Sequence, residues 1–454
     1  MKKAISFLLA ISMLASVTAC ATDSSGSTGG TTATGKPVIT LTYREDGTGE
    51  KNDIYVWATK AYENYSRKDE FDLNIAPIVA SEGDYFAKIA LALQSEQTAP
   101  NIITEDTFQL PSDANAGYLT DLTSYLETYE DWNNGSYYES LKAGVTGPDG
   151  KVRAIPYTTD TRGLWYNKDI FKEVGLPEDW NPKSWQEILD ACAVIKEKAP
   201  DVVPLWMNSG VATGEATSMQ TYEMLLYGTG EELMEDDKWI VSSPNILKTL
   251  EFINEVYEKG YGPPLEDVLN GQAGNLSSRE YFPEGRLAIS LDGNWITGNY
   301  VETGASPWPE FTEVAGYTAM PTSEGQAPST ITLAGGWGLA IPEKSQNKDL
   351  AFGLIQEMMT EAIYTESKTT AGGIATRTDT AKADSYVEKP FIGVATEWLD
   401  NAKFRPQNEK YPAVSTYIQT MVESVVTGTS PEDAMNQYAK DVTSVVGEAN
   451  TVKK

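Results

Sequence analysis

The sequence predicts an α/β protein of two domains, and three observations predict it. Its 454 residues exceed what one hydrophobic core comfortably holds. Apolar runs alternate with amphipathic helical patterns from Val38 to Ile103, the order of strands joined by crossover helices in a mostly parallel sheet. A second series of the same kind begins at Ser184 and ends on the run Leu287 to Leu291.

In chain order, Val38 to Tyr43 places Ile39, Leu41 and Tyr43 on one face, a strand that ends in polar Arg44, Glu45, Asp46 and Gly47. A helix with Tyr55, Ala58, Tyr62 and Tyr65 follows, then a strand around Ile75 to Val79 and a helix over Tyr85 to Leu93. Pro100 to Ile103 reads as a short buried strand running into Thr104, Glu105 and Asp106. Gly150 to Pro156 is extended. The second series opens with a capping box, Ser184 with Glu187, ahead of Trp185, Ile188, Cys192 and Ile195 on one helical face. Cys192 is therefore a core residue, and Trp180, Trp185 and Trp239 serve packing or the surface. Val203 to Trp206 is a strand and Tyr222 to Leu226 is helical. Ser243 and Pro244 start a helix carrying Ile246, Leu250, Ile253 and Tyr257 that Gly260 stops. Extended segments at Gly316 to Pro321 and Ile331 to Ile341 follow, the second with Gly335 and Gly336, which admit close backbone approach. Helices over Leu350 to Met359, Tyr411 to Val426 and from Pro431 complete the chain. No internal repeat is visible, which argues against a solenoid or propeller.

The amino terminus reads as a targeting segment. Lys2 and Lys3 precede an apolar stretch, Ala4 to Val17, too short to span a bilayer. It closes on Val17-Thr-Ala-Cys20, which resembles a bacterial lipobox and implies a signal peptide over 1–19 and a lipid on Cys20. Residues 20–36, rich in Thr, Ser, Gly and Ala, fit a flexible tether. With Cys20 lipidated, Cys192 is the remaining thiol and no intrachain disulfide forms.

Charge and composition narrow the chemistry. With 35 basic and 65 acidic residues the net charge is −30, which disfavours nucleic acid or anionic lipid as the principal partner. The chain has no His, so the usual proton shuttle and metal ligand are missing. Neither a phosphate-cradling Gly-x-x-x-x-Gly-Lys-Ser/Thr loop nor an EF-hand loop occurs. No catalytic residue, metal or cofactor is expected; the enzyme class that needs only two carboxylates, a glycosidase, is the alternative. The 11 Trp and 24 Tyr suit a sugar site, in which flat rings cover sugar faces and Asp, Glu, Asn and Arg take the hydroxyls. Trp165, Trp206, Trp295 and Trp337 stand at expected strand ends, where they are free to serve it. A structural or adhesive surface protein is a third reading, and it predicts no saturable binding.

One stretch carries a specific resemblance. Phe282-Pro-Glu-Gly-Arg-Leu-Ala-Ile-Ser-Leu-Asp-Gly-Asn-Trp295 resembles the mark of the extracellular solute-binding proteins of ABC importers, of the maltose and oligosaccharide type. Further pieces follow that family's order: Ala99-Pro-Asn-Ile-Ile103, Ala116 to Leu122, Gly150 to Pro156, Trp165 to Phe171, Trp185 to Ile188, Gly335 to Pro342 and Gly428 to Ala434. Two residues depart from it: Asn101 stands where the family commonly has Asp, and Ala375 where it has Pro.

The resemblance implies a two-lobed periplasmic-binding-protein-like fold of type II, with discontinuous lobes and a hinge. Its lobes would comprise 37–157 with 334–378, and 158–333 with 379–454, exchanging chain near 156–160, 332–334 and 377–380. It implies a monomer that holds a small molecule, a mono- or oligosaccharide, in the cleft and delivers it to permease subunits, anchored outside the cell membrane through Cys20. A solute-binding protein for a non-sugar ligand is the alternative within the family. Residues carried over to the cleft are Arg44, Glu45, Glu105, Asp106 and Asp160, then Asn208, Tyr222, Asp292 and Trp295, and finally Gly336, Trp337 and Arg377. Trp295 and Trp337 are expected to face each other's lobes across it.

Overall fold

The computed structural model describes residues 35–45, 47–80 and 82–454. The expected signal segment, Cys20 and the tether as far as residue 34 lie outside the described residues. Two sheets organise the chain. The first is built from β1 (Val38–Thr42), β2 (Asp72–Ile75), β3 (Ile102–Asp106), β4 (Ala154–Thr159) and a late strand, β9 (Gly336–Ala340), in the order β2-β1-β3-β9-β4. The second contains β5 (Arg162–Asn167), β6 (Val203–Trp206), β7 (Leu287–Gly293) and β8 (Ala315–Thr318), in the order β8-β5-β7-β6.

The α/β architecture stands, but strand direction is mixed rather than mostly parallel. β1 runs parallel to β2 and β3, and β7 to β6. The strands bordering the chain exchanges run the other way: β9 is antiparallel to β3 and β4, and β5 to β7 and β8. A segment returning from the other sheet enters at the opposite end, which reverses its direction relative to the strands joined by crossover helices.

Each sheet has its own core. Ile39, Leu41, Ile102, Ile103, Ile155 and Leu339 pack with Trp57 and Ala61 of α1 (Asp53–Asn64), and with Leu354, Ile355 and Met358 of α4 (Lys348–Met358). Leu205, Ile289 and Leu291 pack with α2 (Trp185–Lys198), α3 (Pro244–Glu258), α6 (Tyr411–Val426) and α7 (Pro431–Val446). Cys192 is buried here, where its thiol is pushed up by burial. A third cluster covers the other face of the second sheet, so β5 and β7 are buried throughout, their polar ends included.

That cluster corrects two expectations. Trp165 and Trp206 are 0% and 1% exposed and belong to it, not to a ligand site. Trp165 stacks on Tyr317 at 4.0 Å and donates its indole N–H to the Gly293 carbonyl. Another correction concerns residues 379–395, expected with the second lobe. Tyr386, Ile392 and Ala395 pack into the first core, and Lys403 is the residue that pairs with Leu333 beyond it.

The two departures from the family pattern have local reasons. Asn101 accepts from the Thr40 amide at 2.8 Å and donates to the Gln346 carbonyl at 2.6 Å, a double role that an ionised Asp cannot fill. Ala375 donates its amide to the Tyr386 hydroxyl at 2.9 Å, a bond for which proline has no hydrogen.

Candidate functional site

Between the two cores lies a cavity of about 450 Å³, a size suited to a small molecule. The first core contributes Arg44 after β1, the turn into α1 from Lys51 to Ile54, Trp57, Asp106 at the tip of β3, and Tyr157 to Asp160. The second contributes Asn208, Glu215 and Gln220, the end of β7 at Asp292, and Trp295. Strand tips and helix starts converge there, which is where open α/β sheets hold ligands.

Seven of the residues carried over from the resemblance line this cavity: Arg44, Asp106, Asp160, Asn208, Asp292, Trp295 and Trp337. Five do not. Glu45 turns back to accept hydrogen bonds from the amides of Gly47 and Gly49, each at 2.8 Å, and from Thr48. Burial would raise its carboxyl, but those bonds outweigh it and hold it below its ordinary value. Glu45 thus shapes the loop that presents Thr48 and Lys51.

Glu105 precedes Asp106 on β3, so period-two alternation sends it to the other face. It is buried beside Asp113, and burial, then that neighbour, drives its carboxyl upward. Tyr222 is fully buried in the second core, on the wide helical turns of Ala216–Glu223. Arg377 bonds Asp379 with two nitrogens at 2.9 and 2.5 Å, Asp131 at 2.6 Å and the Met359 carbonyl at 2.8 Å, which commits four of its five N–H donors within the protein. Gly336 sits behind the wall: a Cβ there would lie 2.9 Å from the Thr158 carbonyl, which fixes glycine at that point.

The charged groups of the cavity are largely committed to one another. Asp160 accepts from Arg162 at 2.5 Å and from the Gly335 amide at 2.9 Å, tying together two passages of chain between the sheets. Arg405 donates to Asp106 at 2.6 Å on one side and to Glu215 at 3.0 Å on the other, so one guanidinium joins the two halves of the site. Tyr411 adds hydrogen bonds to Glu215 at 2.8 Å and to Glu223 at 2.5 Å. Burial, then repulsion from Glu215, pushes the Glu223 carboxyl up to about 8. Asp292 takes the Gly293 amide at 2.8 Å; burial pushes its carboxyl up to about 7.

Three buried polar atoms among the lining residues lack a partner: Arg44 Nε, Arg162 Nε and Asn208 Oδ1. A buried polar group without a hydrogen bond costs roughly 1–3 kcal/mol, so these positions suit a polar ligand. The aromatic surfaces come from both halves. Trp295 lies under the Arg162 guanidinium, 4.9 Å from the ring centre. Trp337 is partly claimed by packing, stacked on Phe86 at 5.9 Å and 13°. Gly372 of the first half meets Trp295 backbone to backbone, and its carbonyl accepts from Asn294 at 2.7 Å.

The sequence reading missed Arg405, Arg162, Glu215, Gln220, Trp57 and Lys368. Arg405 reaches partners 299 and 190 positions away and belongs to no motif, so no local signal marked it. Glu215 lies in a polar stretch, Ser209 to Ser218, with no periodic pattern to single it out.

Comparison with known proteins supplies the lineage. The chain is 25% identical over 271 residues to the sn-glycerol-3-phosphate-binding periplasmic protein of Brucella abortus, covering 57% of this chain and 58% of that one. It thus spans little more than half the length of that relative. It is 24% identical to the diacetylchitobiose binding protein of Streptomyces coelicolor over 77% of each. Among solved structures, an ABC transporter solute-binding protein of Thermotoga lettingae bound with α-D-tagatose superposes with a TM-score of 0.78 and 26% identity, over 90% of this chain and all of that one (100%). The ribitol complex of a solute-binding protein from Agrobacterium radiobacter gives 0.75 at 20% identity, over 90% and 98%, and shares the fold. Residues 48–364, more than half of the chain, match the family described as bacterial extracellular solute-binding protein, and to that family this chain belongs.

Proposed function

We propose that the protein captures a carbohydrate or polyol outside the cytoplasm and delivers it to the permease of an ABC importer. The observation that carries this reading is the cavity itself. It is walled by both cores, floored by half-buried Trp295 and Trp337, and set with unpartnered polar atoms at Arg44, Arg162 and Asn208. The relatives named for diacetylchitobiose and complexed with tagatose bind ligands of that chemistry. The lobes of this reading are 37–159 with 334–398, and 160–333 with 399–454. They close around the ligand as a monomer. Three of the lining carboxylates are already committed: Asp106 and Glu215 are held by Arg405 and Asp160 by Arg162, so none of these three is a free general acid or base.

A thermal-shift panel of monosaccharides, oligosaccharides and polyols, with amino acids, peptides and polyamines as controls, tests it. A ligand at 100 times its Kd stabilises by about 2.7 kcal/mol. Stabilisation by an amino acid or polyamine and by no carbohydrate overturns the reading, as does conversion of the bound sugar to a product.

Membrane attachment is the other part of the proposal, supported by the lipobox-like run ending at Cys20. Cys20→Ala releases the protein from the membrane fraction into the medium. Retention of the variant on membranes would exclude a lipid anchor at that residue.

A further inference from the structure

The chain carries a net charge of −30, yet the charge left unmatched on the cavity's first-core wall is positive. Asp106, Asp160 and Glu215 are spent on Arg405 and Arg162. On the opposite side of the balance, Arg44, Lys51 and Lys368 line the cavity, and none forms an ion pair among the described residues. Lys368 is the unusual member. It is only 4% exposed, on α5 (Glu361–Thr370), and its ammonium lies 5.6 Å from the Tyr157 ring and 5.5 Å from the Tyr364 ring. A buried amine with no carboxylate in ion-pair contact is costly to keep charged unless something else pairs with it.

We infer that the ligand is an anionic carbohydrate, a sugar or sugar alcohol bearing a carboxylate or a phosphate, whose anionic group docks against Lys368 within the field of Arg44 and Lys51. This rests on the carbohydrate reading above and sharpens it. Aromatic surface at Trp295 takes the ring, and the cationic wall takes the charge. The groups facing Lys368 are Asp53 at the start of α1, Lys389, Tyr157 on β4 and Tyr364 on its own helix. Burial, then repulsion from Lys389, lowers its amine to about 7, while Asp53 pulls the other way. An anion docked there favours the charged amine, so binding takes up a proton and affinity falls as the pH rises above 7.

Calorimetry on matched pairs tests this: glucuronate against glucose, galacturonate against galactose, glucose 6-phosphate against glucose, and glycerol 3-phosphate against glycerol. The acid arm and the phosphate arm distinguish the two sources of charge. The expected result is that the anionic member binds at least about tenfold more tightly than its neutral partner. Lys368→Met erases most of that preference, and Arg44→Gln, a half-buried side chain, weakens it independently of any folding defect at Lys368. With a uronate, which does not titrate there, wild-type affinity falls between pH 6.5 and 8.5 and the Lys368→Met profile is flat. Equal binding of neutral and anionic members, unchanged in both variants, overturns the anionic assignment and leaves carbohydrate capture standing. Binding confined to amino acids or polyamines overturns carbohydrate capture itself.

Discussion

Arg405→Met lowers the free energy of unfolding by about 3–5 kcal/mol at pH 7, measured by chemical denaturation of the ligand-free protein. The side chain is buried between Asp106 and Glu215, and removing it strands two nearly buried carboxylates side by side in the cavity wall. Arg405→Lys recovers little, because a single ammonium lacks the fork that reaches both oxygens. The deficit depends on pH with a definite sign. Burial raises the Asp106 carboxyl, and Arg405 is the group that pulls it back down. Without that cation the folded value rises further above the unfolded one. A carboxyl raised by folding detracts from stability once the pH passes its unfolded value, and increasingly so up to its folded value. The variant therefore recovers as the pH falls toward 4. A loss below 1 kcal/mol, or one that does not change with pH, would mean that the carboxylates do not depend on Arg405.

Trp295→Ala weakens ligand binding by about 2–4 kcal/mol, the scale of a buried aromatic anchor, in the same calorimetric assay. It costs the free protein less than the roughly 3–5 kcal/mol of a fully buried Trp truncation, because the ring is only half buried. Gly293→Ala gives an independent view of the same ring. A Cβ at Gly293 would overlap the Trp295 indole, so the ring must leave its place while the indole chemistry stays intact. Both variants lose affinity if ring position matters. A Trp295→Ala protein that binds normally but melts much earlier would reassign the residue to packing.

How much of this was legible in the sequence depended on whether the relevant signal was local. Strand Val203–Trp206 and helix Tyr411–Val426 lie at the bounds that periodicity gave them, because their apolar faces alone decide them. The signature at 282–295 located Asp292 and Trp295 at the cavity. Reading a strand tip as a unit was less reliable. Glu105 and Asp106 are neighbours, yet one faces Asp113 in the interior and the other faces Arg405 at the cavity, a distinction of one residue in register. Arg377 looked available because one of its partners, Asp131, comes from a short helix 246 positions away that no sequence pattern places beside it. Lys368 and Arg405 gave no signal because the groups around them are assembled only by the chain exchanges.

Those exchanges also impose a timetable. In the first sheet β9 lies between β3 and β4, so β4 reaches its own sheet only through a strand ending at Ala340. A chain that emerges amino terminus first holds β1 to β4 long before the strand that joins β3 to β4 exists. Until then β3 and β4 present open edges, and the non-local pairing that completes the sheet carries a large loop-closure cost. The first half of the molecule therefore stays unfinished while the whole of β5 to β8 is being delivered. That delay keeps the leading segment pliable until the late strand is made. It also makes the interval before Ala340 arrives the time when proteases and edge-to-edge association are most dangerous.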